Sequence, residues 1–198
     1  MRSNIAKILV LIALITSAMM FCKTVLAPDL TAKERLVLGE SAFSALTEPL
    51  FYEPVYVSIP ITDMPVHIQK VGVGSDFAME VPDDAFTLGW LTSSSRVGEN
   101  GNMILSGHFD DSFGRPGVFY NLSSLKKGNK VKVRNENGQV YEYIVTGSEY
   151  VGEENINGVF TAYRYENRPV LTLITCGGVW NEQKGAYDKR LIVKAVLE

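Results

Sequence analysis

The chain has 198 residues, of which 46% are hydrophobic and 21% charged, with a formal net charge of -3. That length and balance suit one globular domain with an appendage, large enough to bury a core without staples. With no basic excess there is no electrostatic footprint for nucleic acid, and no nucleic-acid partner is expected.

At the N-terminus Arg2 and Lys7 precede a run from Ile8 to Cys22 that carries no charge. Counted from Ile5, with Lys7 snorkelling, the run spans roughly 27 Å as a helix, close to the thickness of a hydrocarbon core. Residues 1–27 therefore read as an uncleaved signal anchor. The alternative is a cleavable signal peptide, whose best exit, Val25-Leu26-Ala27, is followed by Pro28, a poor residue beyond a cut. Lys23, Lys33 and Arg35 weaken the charge argument for orientation, and the expectation of a single-pass protein with its C-terminal part outside the cell rests on the lack of a second hydrophobic span. Met19-Met20-Phe21 is too bulky for lipoprotein processing at Cys22, which reads as a membrane-helix cysteine. Cys22 and Cys176 then lie in different media, and no disulfide between them is expected.

Residues 28–52 read as a partly helical linker, with Leu30, Leu36, Val37, Phe43 and Leu46 at helical spacing and Thr31 as N-cap three positions before Glu34. From residue 53 onward short strands alternate with turn residues. The predicted strands are 55–59, 66–71, 102–106, 130–134, 140–145, 170–175 and 190–197, which points to an all-β barrel or sandwich. Alternation on both sides of Asn135-Glu136-Asn137-Gly138 predicts a hairpin. Val118 to Leu122 is a helical or 3₁₀ candidate. There is no internal repeat or low-complexity tract.

The run Val170 to Thr175 reads as a strand that ends at Cys176, with Gly177-Gly178 turning the chain away. If Leu171 and Leu173 face the core, Cys176 faces outward with Thr172 and Ile174. On the last strand Leu191, Val193, Ala195 and Leu197 suit the core, which turns Arg190 outward. Of the two histidines, His67 lies inside an alternating run and reads as an ordinary strand residue. His108 follows an apolar strand at a Ser106-Gly107-His108 corner, where loops commonly hold functional side chains.

His108, Cys176 and Arg190 together have the parts of an acyl-transfer site: a nucleophile, a proton carrier and a permanent cation for a developing oxyanion. Reference pKa values leave only on the order of one per cent of uncoupled pairs as thiolate plus imidazolium near neutral pH. Either that minority reacts, or the site couples the two charges. The acidic residues at Asp110-Asp111 and Glu153-Glu154 lack diagnostic calcium spacing and read as solvated loops; no metal or cofactor is expected.

The ordered set Leu105-Ser106-Gly107-His108, Phe119-Tyr120-Asn121-Leu122, Leu171-Thr172-Leu173-Ile174-Thr175-Cys176 and Tyr187-Asp188-Lys189-Arg190-Leu191-Ile192-Val193 resembles the sortases, from about Pro54 to the end. The resemblance implies an eight-stranded β-barrel over residues 53–198, with short helices in its loops, and a membrane-anchored cysteine transpeptidase. It further implies that Cys176 attacks the C-terminal sorting signal (LPXTG-like) of a secreted protein, forming a thioacyl enzyme that an amine acceptor, such as a cell-wall precursor, resolves. His108 would move the proton and Arg190 would stabilise the oxyanion. The chain has neither the second membrane segment nor the lid-like Asp-Pro-aromatic motif of pilin-polymerising relatives, which favours general anchoring. Segments 89–101 and 151–168 are the expected groove walls. An exported cysteine peptidase, and a non-catalytic barrel whose thiol is merely buried, stay open as alternatives.

Overall fold

The computed structural model describes residues 51–75, 78–156, 158–159 and 167–198. The anchor expected at 1–27 and most of the linker at 28–52 lie outside the described residues. Among the described residues no helix is long and apolar enough to cross a membrane.

Eight strands are formed: β1 Pro54–Ser58, β2 Val66–Val71, β3 Leu88–Leu91, β4 Gly101–Ser106, β5 Lys130–Asn135, β6 Val140–Gly152, β7 Pro169–Asn181 and β8 Ala186–Leu197. They close into a barrel in the order β1-β2-β3-β4-β7-β8-β6-β5. Two pairings, β2 with β3 and β4 with β7, are parallel and need crossovers, whereas the other neighbours run antiparallel. The expected hairpin joins β5 and β6, where Gly138 adopts a positive φ of 81° and Asn135 Oδ1 accepts from Gln139 N at 2.9 Å. Among the described residues, helical structure in the loops comprises 3₁₀ turns at Leu122–Ser124 and Glu153–Asn155 and helical residues at 156 and 158–159. The first of these begins at the last residue of the predicted segment, because Phe119 and Leu122 are drawn fully into the barrel end.

Period-two alternation sorts side chains to the two faces of the wall. Val131, Val133, Tyr143, Leu171, Leu173, Leu191, Val193 and Ala195 fill the interior with Leu88, Trp90, Met103 and Leu105. Two large buried side chains have their polar tips satisfied inside: the Tyr143 hydroxyl accepts from Gly98 N at 3.0 Å, and Trp90 Nε1 donates to Ser95 O at 3.2 Å. Burial pushes the Tyr143 hydroxyl up to about 12. A second apolar cluster lies on the outer face, built from Leu91, Ile104, Ile174 and Ile192 under Val159, with Met79, Val151 and Ile156 packed against it. This cluster explains why β3 escapes a sequence reading. All four of its residues are buried, so alternation is lost, and Gly89 lowers strand propensity.

β7 also departs from expectation. It does not end at the thiol: a bulge between Gly177 and Trp180 interrupts the pairing, and the strand then continues to Asn181 opposite Ala186. Gly178 sits in the bulge at φ +83°, and a Cβ there would lie 2.1 Å from Asp188 Oδ1. That carboxylate oxygen accepts from Val179 N at 2.7 Å. The two glycines thus permit an irregular hairpin extension rather than a chain reversal.

Candidate active site

Register pairs two of the predicted site residues and sets the third just past the end of the next strand. Cys176 on β7 is the direct antiparallel partner of Arg190 on β8. On the other side of β7, parallel pairing with β4 ends at Ser106 opposite Ile174. It is prolonged by Gly107 N donating to Ile174 O at 3.1 Å and Thr175 Oγ1 donating to Gly107 O at 2.8 Å. His108 and Cys176 each stand two residues beyond the last paired positions, so the corner after β4 carries His108 past the end of the pairing level with Cys176.

The sidedness expected from alternation is found. Leu171 and Leu173 lie in the interior cluster and Ile174 in the outer one, which puts Cys176 on the outer face with Ile174. Arg190 shares that face with Ile192 by the same parity. Cys176 is a half-buried thiol outside any disulfide among the described residues. His67, by contrast, packs edge to face on Tyr56 at 5.5 Å, on a strand separated from β7 by β3 and β4.

The His108 corner is tightly drawn. A Cβ on Gly107 would meet Leu88 Cδ2 at 2.5 Å, and one on Gly117 would meet the His108 carbonyl oxygen at 2.6 Å, so only glycine lets the chain turn and return there. His108 Nε2 is 2.8 Å from Pro82 O. A carbonyl can only accept, so Nε2 carries the hydrogen of this bond. In neutral imidazole that leaves Nδ1 as the basic atom; in imidazolium Nδ1 is the second donor.

Arg190 is oriented by its own strand: Nη1 donates to Tyr187 O at 3.0 Å and to Lys189 O at 3.1 Å. Tyr187 itself was not among the predicted site residues. Its hydroxyl donates to Asp110 Oδ2 at 2.5 Å, and its ring packs edge to face on Phe109 at 5.5 Å and on Trp180 at 5.2 Å. Phe109 stacks in turn on Tyr120 at 4.9 Å. The bond to Asp110 first, then burial and the Asp110 charge, push the Tyr187 hydroxyl up to about 12, with the charge on Cys176 adding to the shift.

Asp110 is therefore engaged across the site, which corrects the expectation of a merely solvated loop. Asp111 closes its own turn: its Oδ1 accepts from Phe113 N and Arg115 N at 2.9 Å each, and the Arg115 contacts contribute to a lowered carboxyl pKa. Nothing in the spacing of Asp110 and Tyr187 along the chain foretells their contact, because it depends on how far the hairpin extends past the bulge. Of the expected groove walls, segment 89–101 begins inside β3, whereas Ile156 and Val159 from the second segment do pack on the outer cluster.

A closed barrel with a thiol and a guanidinium on paired strands, and a histidine just past the end of the neighbouring strand, forms a candidate cysteine acyl-transfer site. The Sortase domain model matches residues 57–198. The chain belongs to the sortase family, whose members are cysteine transpeptidases. Among solved structures it is similar to sortase A from Actinomyces oris, with 28% identity, a TM-score of 0.56 and coverage of 76% of this chain and 83% of that one. It is also similar to sortase C1 from Streptococcus agalactiae, with 24% identity, a TM-score of 0.56 and coverage of 86% and 78%. For the sortase D5 transpeptidase from Clostridium perfringens the identity is 20%, the TM-score 0.54 and the coverage 81% and 88%. These last two likenesses speak for the fold alone. A search of curated proteins finds no significant match.

Proposed function

We propose that the protein is a sortase-type transpeptidase in which Cys176 is the nucleophile, His108 the proton carrier and Arg190 the cation that stabilises the oxyanion. The observation that carries this reading is the register that sets Cys176 against Arg190 on one side and the His108 corner on the other. The sulfur, as thiolate, attacks the scissile carbonyl carbon of a sorting signal, and the Arg190 guanidinium offsets the charge developing on oxygen. The carbon–nitrogen bond then breaks, and the departing amine takes the proton from His108 Nδ1, leaving a thioester on Cys176. An acceptor amine gives a proton to His108, attacks the thioester carbon and releases the thiolate. Residues 1–27 would hold the protein in the cell membrane as a single span, with the barrel on the extracellular side.

The test is to incubate the protein with a panel of sorting-signal peptides, with and without a small amine, and to follow mass shifts. A thioacyl adduct on Cys176, lost in Cys176→Ala and converted to an amide product by the amine, is the expected result. No adduct with any peptide would overturn the enzymatic reading, and an adduct resolved only by water would make the protein a hydrolase. Arg190→Lys keeps the charge but not the planar fork, and should lower kcat by about tenfold or more. Full activity in that variant would remove Arg190 from the oxyanion role.

A further inference from the structure

Tyr187, on β8, contacts β7 at Trp180 and the loop after β4 that carries His108. Through its hydroxyl it holds Asp110, the second residue after His108; through its ring it packs on Phe109, the first residue after His108. Through its backbone carbonyl it accepts from the Arg190 guanidinium. It stands opposite Trp180, beyond the bulge that follows Cys176, and packs on that ring too. Nothing in the acyl-transfer scheme uses a phenol, yet this one joins the imidazole corner to the guanidinium strand across the thiol.

We infer that Tyr187 is a positioning residue, whose hydrogen bond to Asp110 fixes the His108 corner relative to Cys176 and Arg190. Other constraints on the corner come from β7 and from its own loop: Thr175 Oγ1 donates to Gly107 O, Gly107 N to Ile174 O and Gly117 N to Phe109 O. His108 Nε2 is held by Pro82 O and its carbonyl by Phe119 N, but Gly107 and Gly117 flank the passage and offer no side chains of their own. Beyond it the 110–116 segment is braced by contacts local to itself, Asp111 with Phe113 and Arg115. The O–H···O⁻ bond of Tyr187 and the aromatic packing of Phe109 join this corner to β8. A charge-assisted bond of this kind is directional, and displacement of a reacting group by about 1 Å can cost on the order of a hundredfold in rate.

This inference rests on the proposed roles of His108, Cys176 and Arg190, so its test uses a readout that needs no sorting signal. The alkylation rate of Cys176 by iodoacetamide and the ring nitrogen resonances of His108 are measured in the wild-type protein, Tyr187→Phe, Asp110→Asn and the double variant. Tyr187→Phe keeps both ring contacts and the carbonyl, removing only the hydroxyl. Each single variant should slow alkylation severalfold, up to about tenfold, and shift the His108 signals, while the double variant is no slower than either single one. Wild-type alkylation rates with unmoved His108 signals would overturn the inference, as would single effects that simply add. A mere strut would lower the melting temperature without changing the reactivity of the folded protein, and that result also counts against it. If Tyr187→Phe does not fold, Asp110→Asn carries the same comparison. Peptide turnover, followed in parallel, separates the two readings: a wild-type protein that forms no thioacyl adduct sinks the transpeptidase proposal, while the alkylation ratios still decide the role of Tyr187.

Discussion

Thr175→Val isolates one buried bond that ties the nucleophile strand to the histidine corner. Thr175 is 3% exposed and its Oγ1 donates to Gly107 O at 2.8 Å. Valine has nearly the same shape, so the packing is kept and only the donor is lost. A buried acceptor deprived of its donor costs about 1–3 kcal/mol. For a domain of this size each kcal/mol moves the melting temperature by about 2–4 °C, so a fall of about 2–12 °C is expected by circular dichroism. Because the same bond sets Gly107 beside Thr175, the variant should also slow alkylation of Cys176 at temperatures where it is fully folded. An unchanged melting temperature would show that the hydroxyl is not paired as described. A lowered melting temperature with unchanged alkylation would show that the bond supports the barrel but not the site.

Gly178→Ala should destabilise the hairpin beyond the bulge by about 2 kcal/mol, because it forces a side chain into the positive-φ region and meets Asp188 Oδ1 at 2.1 Å. Amide exchange at Val179 and Trp180 should quicken, and adding Asp188→Ala should leave the backbone strain while relieving the clash; equal exchange in the single variant and wild type would refute the account. Tyr143 gives a pH prediction. Its folded hydroxyl titrates at about 12 while the unfolded one titrates near 10, so the contribution to stability is whole below pH 10. Above that the unfolded state releases its proton first, and stability falls by up to about 1.4 kcal/mol per pH unit until pH 12 is reached. Tyr143→Phe should flatten that limb of the curve measured by urea unfolding, and an identical slope in the variant would refute it.

Much of the barrel is legible in the sequence because alternation is a local signal. The run Lys130 to Val145 has one face in the core and the other outward, so hydrophobic period and turn chemistry agree. The same reasoning fixes which face of β7 bears Cys176, since Leu171 and Leu173 can be buried together only if the sulfur points the other way. β3 is lost to such reading because it is buried on both faces, with its Trp90 in the interior cluster and its Leu91 in the outer one.

The sequence by itself determined the candidate chemistry, since a chain with two histidines and two cysteines offers few ways to compose a nucleophile and its proton carrier. It also indicated the family, through short segments in a set order. Only the tertiary structure decided that β7 passes beyond the thiol through a bulge, that Pro82 O holds His108 Nε2, and that Tyr187 reaches Asp110. Side-chain type and period are properties of neighbouring residues, whereas these contacts join segments far apart in the chain. Their partners are set by barrel closure and strand register, which no local pattern encodes.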